Sequence, residues 1–310
     1  MGSSSNLYYL PFSGLSTQRI IHVSTRGKDS PNCGQSTNNK CKSVNYALSN
    51  IHHNSSTIVL ESHPTRQIVY KCKQYTVSEV GHHVRFEKDN KTNRNPSISI
   101  SFTLYQRIQE AINITVEFKS VNVIGKVQLF DISKRHRKFH NRDINVRLFL
   151  TDALITKGKK ENSFVNIFDL GYVDIVIRNC RFLGSRPKKW FKLHSNNAQY
   201  PLNITIENSR MQGIVFLEMV NGIAHLKNNI FRYINVPRGG SLLNFRDSTV
   251  TMDSCRFLDI SLSQHYEGPS EIYDTRFKFF YSKQNAFVVT GTMTLPCVTM
   301  FYKTLNECWC

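Results

Sequence analysis

The groups in this chain best suited to chemistry are its cations. Lys and Arg number 40 against 22 Asp and Glu, a formal charge of +18, so the surface attracts acidic polysaccharide, nucleic acid or an anionic membrane. The basic residues are grouped. Lys134, Arg135, Arg137 and Lys138 form a dense run with His136, His140 and Arg142; Lys157, Lys159 and Lys160 form a second group, and Arg186, Lys188 and Lys189 a third. Arg238 stands by itself, while Arg181, Arg210 and Arg256 each immediately precede a large apolar residue. Guanidinium groups in a column can grip carboxylates bidentately, and solvated turn residues are the plainer alternative.

Catalytic patterns are weaker. Acid and base work on glycans needs clustered carboxylates, yet no Asp-Asp pair occurs, and Asp152, Asp169, Asp174 and Asp253 are scattered. The 11 His include the neighbours His52-His53 and His82-His83, whose side chains diverge on regular structure, and no His-x-x-x-His falls beside an acid on a predicted helix. Cys297, Cys308 and Cys310 lack the paired Cys-x-x-Cys spacing of a zinc site. Gly-rich phosphate loops and serine nucleophile elbows are missing too. No catalytic residue, metal ligand or cofactor is therefore assigned.

The elements that position the cations form a repeat. A short alternating apolar run, a polar turn and a large apolar residue recur from Val173 to Phe182, Leu202 to Met211, Gly222 to Phe231 and Ser248 to Phe257, and more loosely around Val116–Val123 and Leu148–Ile155. The closing apolar positions Val123, Ile155, Phe182, Met211, Phe231 and Phe257 are separated by 32, 27, 29, 20 and 26 residues. Units of that size cannot bury their own apolar face and must stack, which is the signature of a solenoid. Period-two alternation makes each unit a strand with one inward face. A second strand per unit is expected at Phe164 to Phe168, Trp190 to Leu193, Ile214 to Met219, Leu242 to Phe245 and Phe287 to Thr290. Asn179, Asn208 and Asn228 occupy the turn, where an amide bonds along the stack and the residue tolerates a turn conformation. The expected fold is all-β, a parallel β-helix; a β-sandwich of short strands is the competing arrangement.

Stacking also aligns the cations. The Lys157 and Lys188 groups, and Arg238 after them, fall in the same loop of successive rungs, about 4.8 Å apart per rung, as a stripe suited to a linear polyanion. A merely solvated face is the alternative.

Residues 1–19 read as an irregular lead-in, 20–296 as the β-helix and 297–310 as a Cys-containing tail. Hydrophobic residues at 40%, with 20 Phe and 13 Tyr, are ample for a core, and the absence of an apolar run of spanning length excludes a transmembrane helix. The amino end lacks the basic start and apolar centre of a signal peptide. That leaves an intracellular protein or one whose natural amino end lies outside this chain, and eight Cys, with Cys33 and Cys41 close together, and sequons at Asn54, Asn90, Asn113 and Asn203 favour the second, a secreted or cell-surface protein. Residues 81–96, rich in His, Lys, Asn and Arg, read as a protruding loop, as do 260–276.

A strand at Ile20 to Val23 enters a Gly and Pro turn, after which Ser43 can cap a short helix carrying Val44, Ala47, Leu48 and Ile51 on one side. This helix is expected to cover the open end of the coil. The order strand, Gly27-Lys28-Asp29, Cys33-Gly34, Cys41-Lys42-Ser43, Ala47-Leu48 and then Ile58-Val59-Leu60 resembles the opening of extracellular right-handed β-helix modules of the pectin-lyase-like superfamily. The later rungs look like the same superfamily over about residues 20–295. The resemblance implies a right-handed coil and acidic glycans as ligands. It also implies a rival reading, a polysaccharide lyase or glycoside hydrolase acting on uronate glycans. Arg276-Phe277-Lys278 resembles the Arg-x-Lys element of the hydrolases, whereas their Gly-His-Gly motif is absent. The favoured reading is a noncatalytic domain that binds acidic polysaccharide or another polyanion. Nucleic acid is disfavoured, because repeated aromatic and basic interleaving on one face is not evident.

Overall fold

The computed structural model describes residues 19–49, 55–72, 75–77, 82–104, 112–125, 130–132, 144–157, 163–168, 170–184, 190–195, 202–212, 217–236, 242–262, 287–302 and 305–309. They form a parallel β-solenoid of three walls. The first wall runs through Arg19–Val23, Ser55–Leu60, His82–Lys88, Ile112–Lys119, Ile144–Thr151, Val173–Arg178, Leu202–Glu207 and Gly222–Lys227, each paired in parallel with the next. The second wall climbs through Ser97–Ser99, Asn122–Gly125, Leu154–Lys157, Arg181–Leu183, Arg210–Gln212 and Ile230–Val236. The third stacks Phe130–Ile132, Val165–Phe168, Phe191–His194 and Leu217–Val220. One long strand, Leu243–Leu262, then passes through all three walls, pairing with Leu217–Val220, Gly222–Lys227 and Ile230–Val236 in turn.

Alternation dictates what lies inside. On the first wall Phe86, Phe118, Leu150, Ile177, Ile206, Leu226 and Met252 follow one another in register and are all buried. Val123, Ile155, Phe182, Met211, Phe231 and Phe257 form the matching file on the second wall, in the order read from the sequence. Trp190 bridges the interior, with Phe182 and Phe164 at 5.3 and 5.4 Å in edge-to-face contact. Offset and edge-on aromatic pairs of this kind add about 0.5–1.5 kcal/mol each beyond their buried area.

The corner between the first and second walls is a repeated turn. Ser120, Asp152, Asn179, Asn208, Asn228 and Ser254 occupy the left-handed region, with φ between 51 and 53°. Short polar side chains tolerate that conformation best. The amide of Asn179 donates to Asp152 Oδ1 at 3.1 Å and that of Asn228 to Asn208 Oδ1 at 3.2 Å, so the expected bonding along the stack is present. The next residue at each turn points inward: Cys180, Ser209, Asn229 and Cys255 are all buried. They are tied rung to rung, since Ser209 Oγ accepts from the Cys180 amide at 3.0 Å and Asn229 Oδ1 from the Ser209 amide at 3.0 Å.

The amino-terminal end is closed as expected. Helix α1, Val44–Ser49, buries Val44, Ala47 and Leu48, and Ser43 Oγ accepts from the Tyr46 amide at 3.2 Å as its cap. The strand Arg19–Val23 finds its outer hydrogen bonds in the following segment: the His22 amide donates to Gly34 O and the Cys41 amide to His22 O, both at 2.9 Å. Gly34 sits at φ 82°, where an added Cβ would lie 2.5 Å from Ile21. The Cys33–Cys41 disulfide fixes this segment.

The two expected loops need correction. Residues 82–88 are not loop but first-wall strand, because Val84 and Phe86 are buried while His83, Arg85 and Glu87 face outward and satisfy the period-two pattern. The loop is confined to 89–96. The loop expected at 260–276 is strand as far as Leu262, where Ile260, Ser261 and Leu262 pair with Ile234, Asn235 and Val236. Cys72, Cys180 and Cys255 are buried free thiols. The strand Phe287–Tyr302 pairs in parallel with Leu243–Leu262, and Leu305–Trp309 returns antiparallel beside it.

Candidate functional site

Outward positions of the second wall carry the cations. Arg181 and Arg210 are direct partners on neighbouring rungs; Ile230 follows, then Arg256 in the same column. All three arginines are exposed, and Phe182 and Met211, which follow the first two, are buried. The strand alternation therefore forces them to solvent. Arg232 lies in the adjacent column, between Gln212 and Leu258, and is also exposed. It was not singled out in the sequence because Ile230, not a cation, precedes Phe231; only the register places it beside Arg210 and Arg256.

Arg232 is attached to an unusual neighbour. Its guanidinium lies 4.2 Å over the ring of Tyr233 and donates a hydrogen bond to the Tyr233 hydroxyl. Tyr233 is 50% exposed and holds φ at 51°, a conformation costly for a bulky side chain and typical of binding positions. The ring holds the cation over its face, so the pair presents a fixed guanidinium backed by an aromatic ring.

The corner beside this wall is a ladder of alternating charge. Arg178, Glu207, Lys227 and Asp253 are successive partners, and Arg178 Nε stands 2.9 Å from Glu207 Oε2. Such exposed pairs contribute only about 0–1 kcal/mol, but a slip by one rung would place like charges together. The second wall and this corner carry Arg178, Arg181, Arg210, Lys227, Arg232 and Arg256 against Asp152, Glu207 and Asp253. Positive charge prevails there.

Lys157 ends the second-wall strand opposite Gly125. Lys134, Arg135, Arg137, Lys138, Lys159, Lys160, Arg186, Lys188, Lys189 and Arg238 lie outside the described residues, so the loop stripe rests on the sequence. Asn54 lies outside them as well. Asn90 is exposed on a turn, and Asn113 is exposed on a strand with its Oδ1 accepting from Asn145 at 2.8 Å. Asn203 is half-buried between Asp174 and Ile223, with its Oδ1 fully enclosed.

The carboxylates are dispersed or engaged. Asp174 faces outward from the first wall between Arg147 and Asn203; burial pushes its carboxyl up, against the opposing pull of Arg147. Glu218 is on the third wall, 2.8 Å from His194. Glu61 and Asp89, a pair not noticed in the sequence, follow first-wall strands on neighbouring rungs. Glu61 accepts from Ser24 Oγ and from Lys40 Nζ at 3.0 Å, while Asp89 accepts from the Ser62 amide at 3.0 Å and from its hydroxyl. Burial alone would raise the Glu61 carboxyl, but these bonds outweigh it and hold the group below the usual carboxylate range.

Asp29, Cys33 and Cys41 bring their donor atoms within 4.8 Å of one another. The two sulfurs are bonded to each other, and Asp29 accepts from the Lys42 and Ser43 amides at 2.8 and 3.0 Å and from Ser43 Oγ at 2.9 Å. The trio is a clasp for the start of helix α1. Among the described residues no helix is long and apolar enough to cross a membrane.

The fold and the wall together define a class: a parallel β-solenoid with an arginine-bearing face. No protein-family model, no curated protein and no solved structure matches the chain.

Proposed function

We propose that the chain is a noncatalytic extracellular or cell-surface β-helix domain that binds acidic polysaccharide or another linear polyanion along its second wall. The observation that carries this reading is the register of Arg181 over Arg210, with Arg256 above them and Arg232 alongside, all exposed. Rungs about 4.8 Å apart hold guanidinium groups at a spacing that a flexible charged polymer can follow, and each can bind a carboxylate or sulfate through two parallel N–H donors. Tyr233 holds the Arg232 guanidinium in a fixed place beside the column. Lys157, at the end of a second-wall strand, belongs to the same wall.

The Cys33–Cys41 disulfide supports an oxidising, extracellular compartment. The opening strand, Cys-Gly turn and capping helix support placement with the right-handed, pectin-lyase-like β-helices. The hydrogen-bonded state of Glu61 and Asp89 and the dispersal of the other acids favour binding over hydrolysis.

Retention on a sulfated or uronic-acid matrix tests the reading. The wild-type chain is expected to elute at a salt concentration well above that for the R181E/R210E/R256E variant, because screening weakens exposed charge contacts. Equal retention of the two would remove the arginine wall from the binding surface.

A further inference from the structure

We propose that Asn90 is an N-glycan attachment site and that Asn203, whose sequon is formally equivalent, stays unmodified. The inference goes beyond polyanion binding and depends only on passage through the secretory lumen, for which the Cys33–Cys41 bridge is the supporting observation.

The sequons Asn90-Lys91-Thr92 and Asn203-Ile204-Thr205 look alike in the sequence. The solenoid treats them differently. Asn90 belongs to the loop 89–96, which replaces the tight turn of later rungs at the corner between the first and second walls. That loop is held at four places: Asp89 bonds Ser62, Thr92 Oγ1 donates to Ser62 Oγ at 2.7 Å, Arg94 Nη1 donates to Thr65 O at 2.8 Å, and Asn95 Nδ2 donates to Asp152 O at 2.8 Å. Asn90 takes no part. It is exposed on a turn, and among the described residues its amide has no hydrogen-bond partner. A glycan there projects into solvent and displaces nothing.

Asn203 stands in the middle of Leu202–Glu207, a strand paired on both sides. Its neighbours in the outward column are Asp174 and Ile223, it is half-buried, and its Oδ1 is enclosed. A sugar on Nδ2 would have to be accommodated against the adjoining rungs, at the cost of the packing that joins them. Folded, secreted molecules are therefore expected to carry a free Asn203.

The donor is a lipid-linked oligosaccharide pyrophosphate. Asn90 Nδ2 attacks the anomeric carbon of the first sugar, the bond from that carbon to the pyrophosphate oxygen breaks, the lipid pyrophosphate leaves, and the amide gives up one proton to a base. No oxidant or reductant is required.

The test uses the full chain, secreted from eukaryotic cells behind a cleavable leader. The product is treated with a glycan-releasing amidase, which converts each occupied Asn to Asp, and is mapped by peptide mass. The Asn90 peptide is expected as Asp and the Asn203 peptide as Asn. N90Q, a change on an exposed turn, is expected to abolish the amidase-sensitive mass step assigned to that peptide without lowering the secreted yield. Recovery of the wild-type Asn90 peptide as unmodified Asn overturns the assignment, and so does an Asn203 peptide converted to Asp.

Discussion

Adjacent residues at one turn should respond in opposite ways to truncation. Asn228 points outward with φ at 52°, whereas Asn229 is fully buried, its Nδ2 donating to Ile206 O at 2.7 Å and its Oδ1 accepting from the Ser209 amide at 3.0 Å. Asn229→Ala strands both backbone groups away from water. Each of the two orphaned groups costs about 1–3 kcal/mol, partly offset by about 1 kcal/mol of side-chain entropy no longer lost, so a net loss of about 1–5 kcal/mol is expected. Asn228→Gly removes only an exposed bond at 3.2 Å to Asn208 and relieves a left-handed backbone; its effect should stay within about 0.5 kcal/mol. Urea denaturation reads both values from the shift in midpoint at constant slope. Amide exchange at Ser209 gives a local check, because the solenoid need not unfold as one unit. It should accelerate in Asn229→Ala and not in Asn228→Gly. An unmoved midpoint for Asn229→Ala, or equal losses for the two variants, would refute the claim that buried side chains fasten successive turns.

Two further outcomes follow from burial. Burial raises the thiols of Cys72 and Cys180 to about 11 and about 12, so neither should react with iodoacetamide at pH 8 in the folded chain, and both should label after denaturation; labelling of the native protein would contradict their placement in the core. Glu61 titrates below its ordinary 4.5 when folded, so it contributes stability present above that pH and lost as the pH falls through its lower folded value. Glu61→Gln should lower the melting temperature at neutral pH and flatten its acid dependence, whereas an unchanged acid limb would show that Ser24 and Lys40 do not hold the carboxylate.

Much of the architecture was legible because it is written locally. Val173, Ile175 and Ile177 alternate with polar residues, Asn179 follows at the turn and Phe182 closes the unit, and neighbouring units repeat the pattern at intervals of 20 to 32 residues. Period-two burial and left-handed turn chemistry need no distant partner to be recognised. The same reasoning misplaced His82–Lys88, where charged residues at alternate positions masked the inward Val84 and Phe86.

The candidate site was less legible, because adjacency on a wall depends on register between rungs whose connecting loops differ in length. The sequence alone determined that Arg181 and Arg210 take equivalent places and that the molecule is strongly basic. Only the tertiary structure decided that Arg232 and Tyr233 adjoin the arginine column and that Glu61 and Asp89 meet Ser24 and Ser62 on neighbouring rungs. Periodicity is a property of one strand, whereas a binding wall is a property of the pairing between strands far apart in the chain.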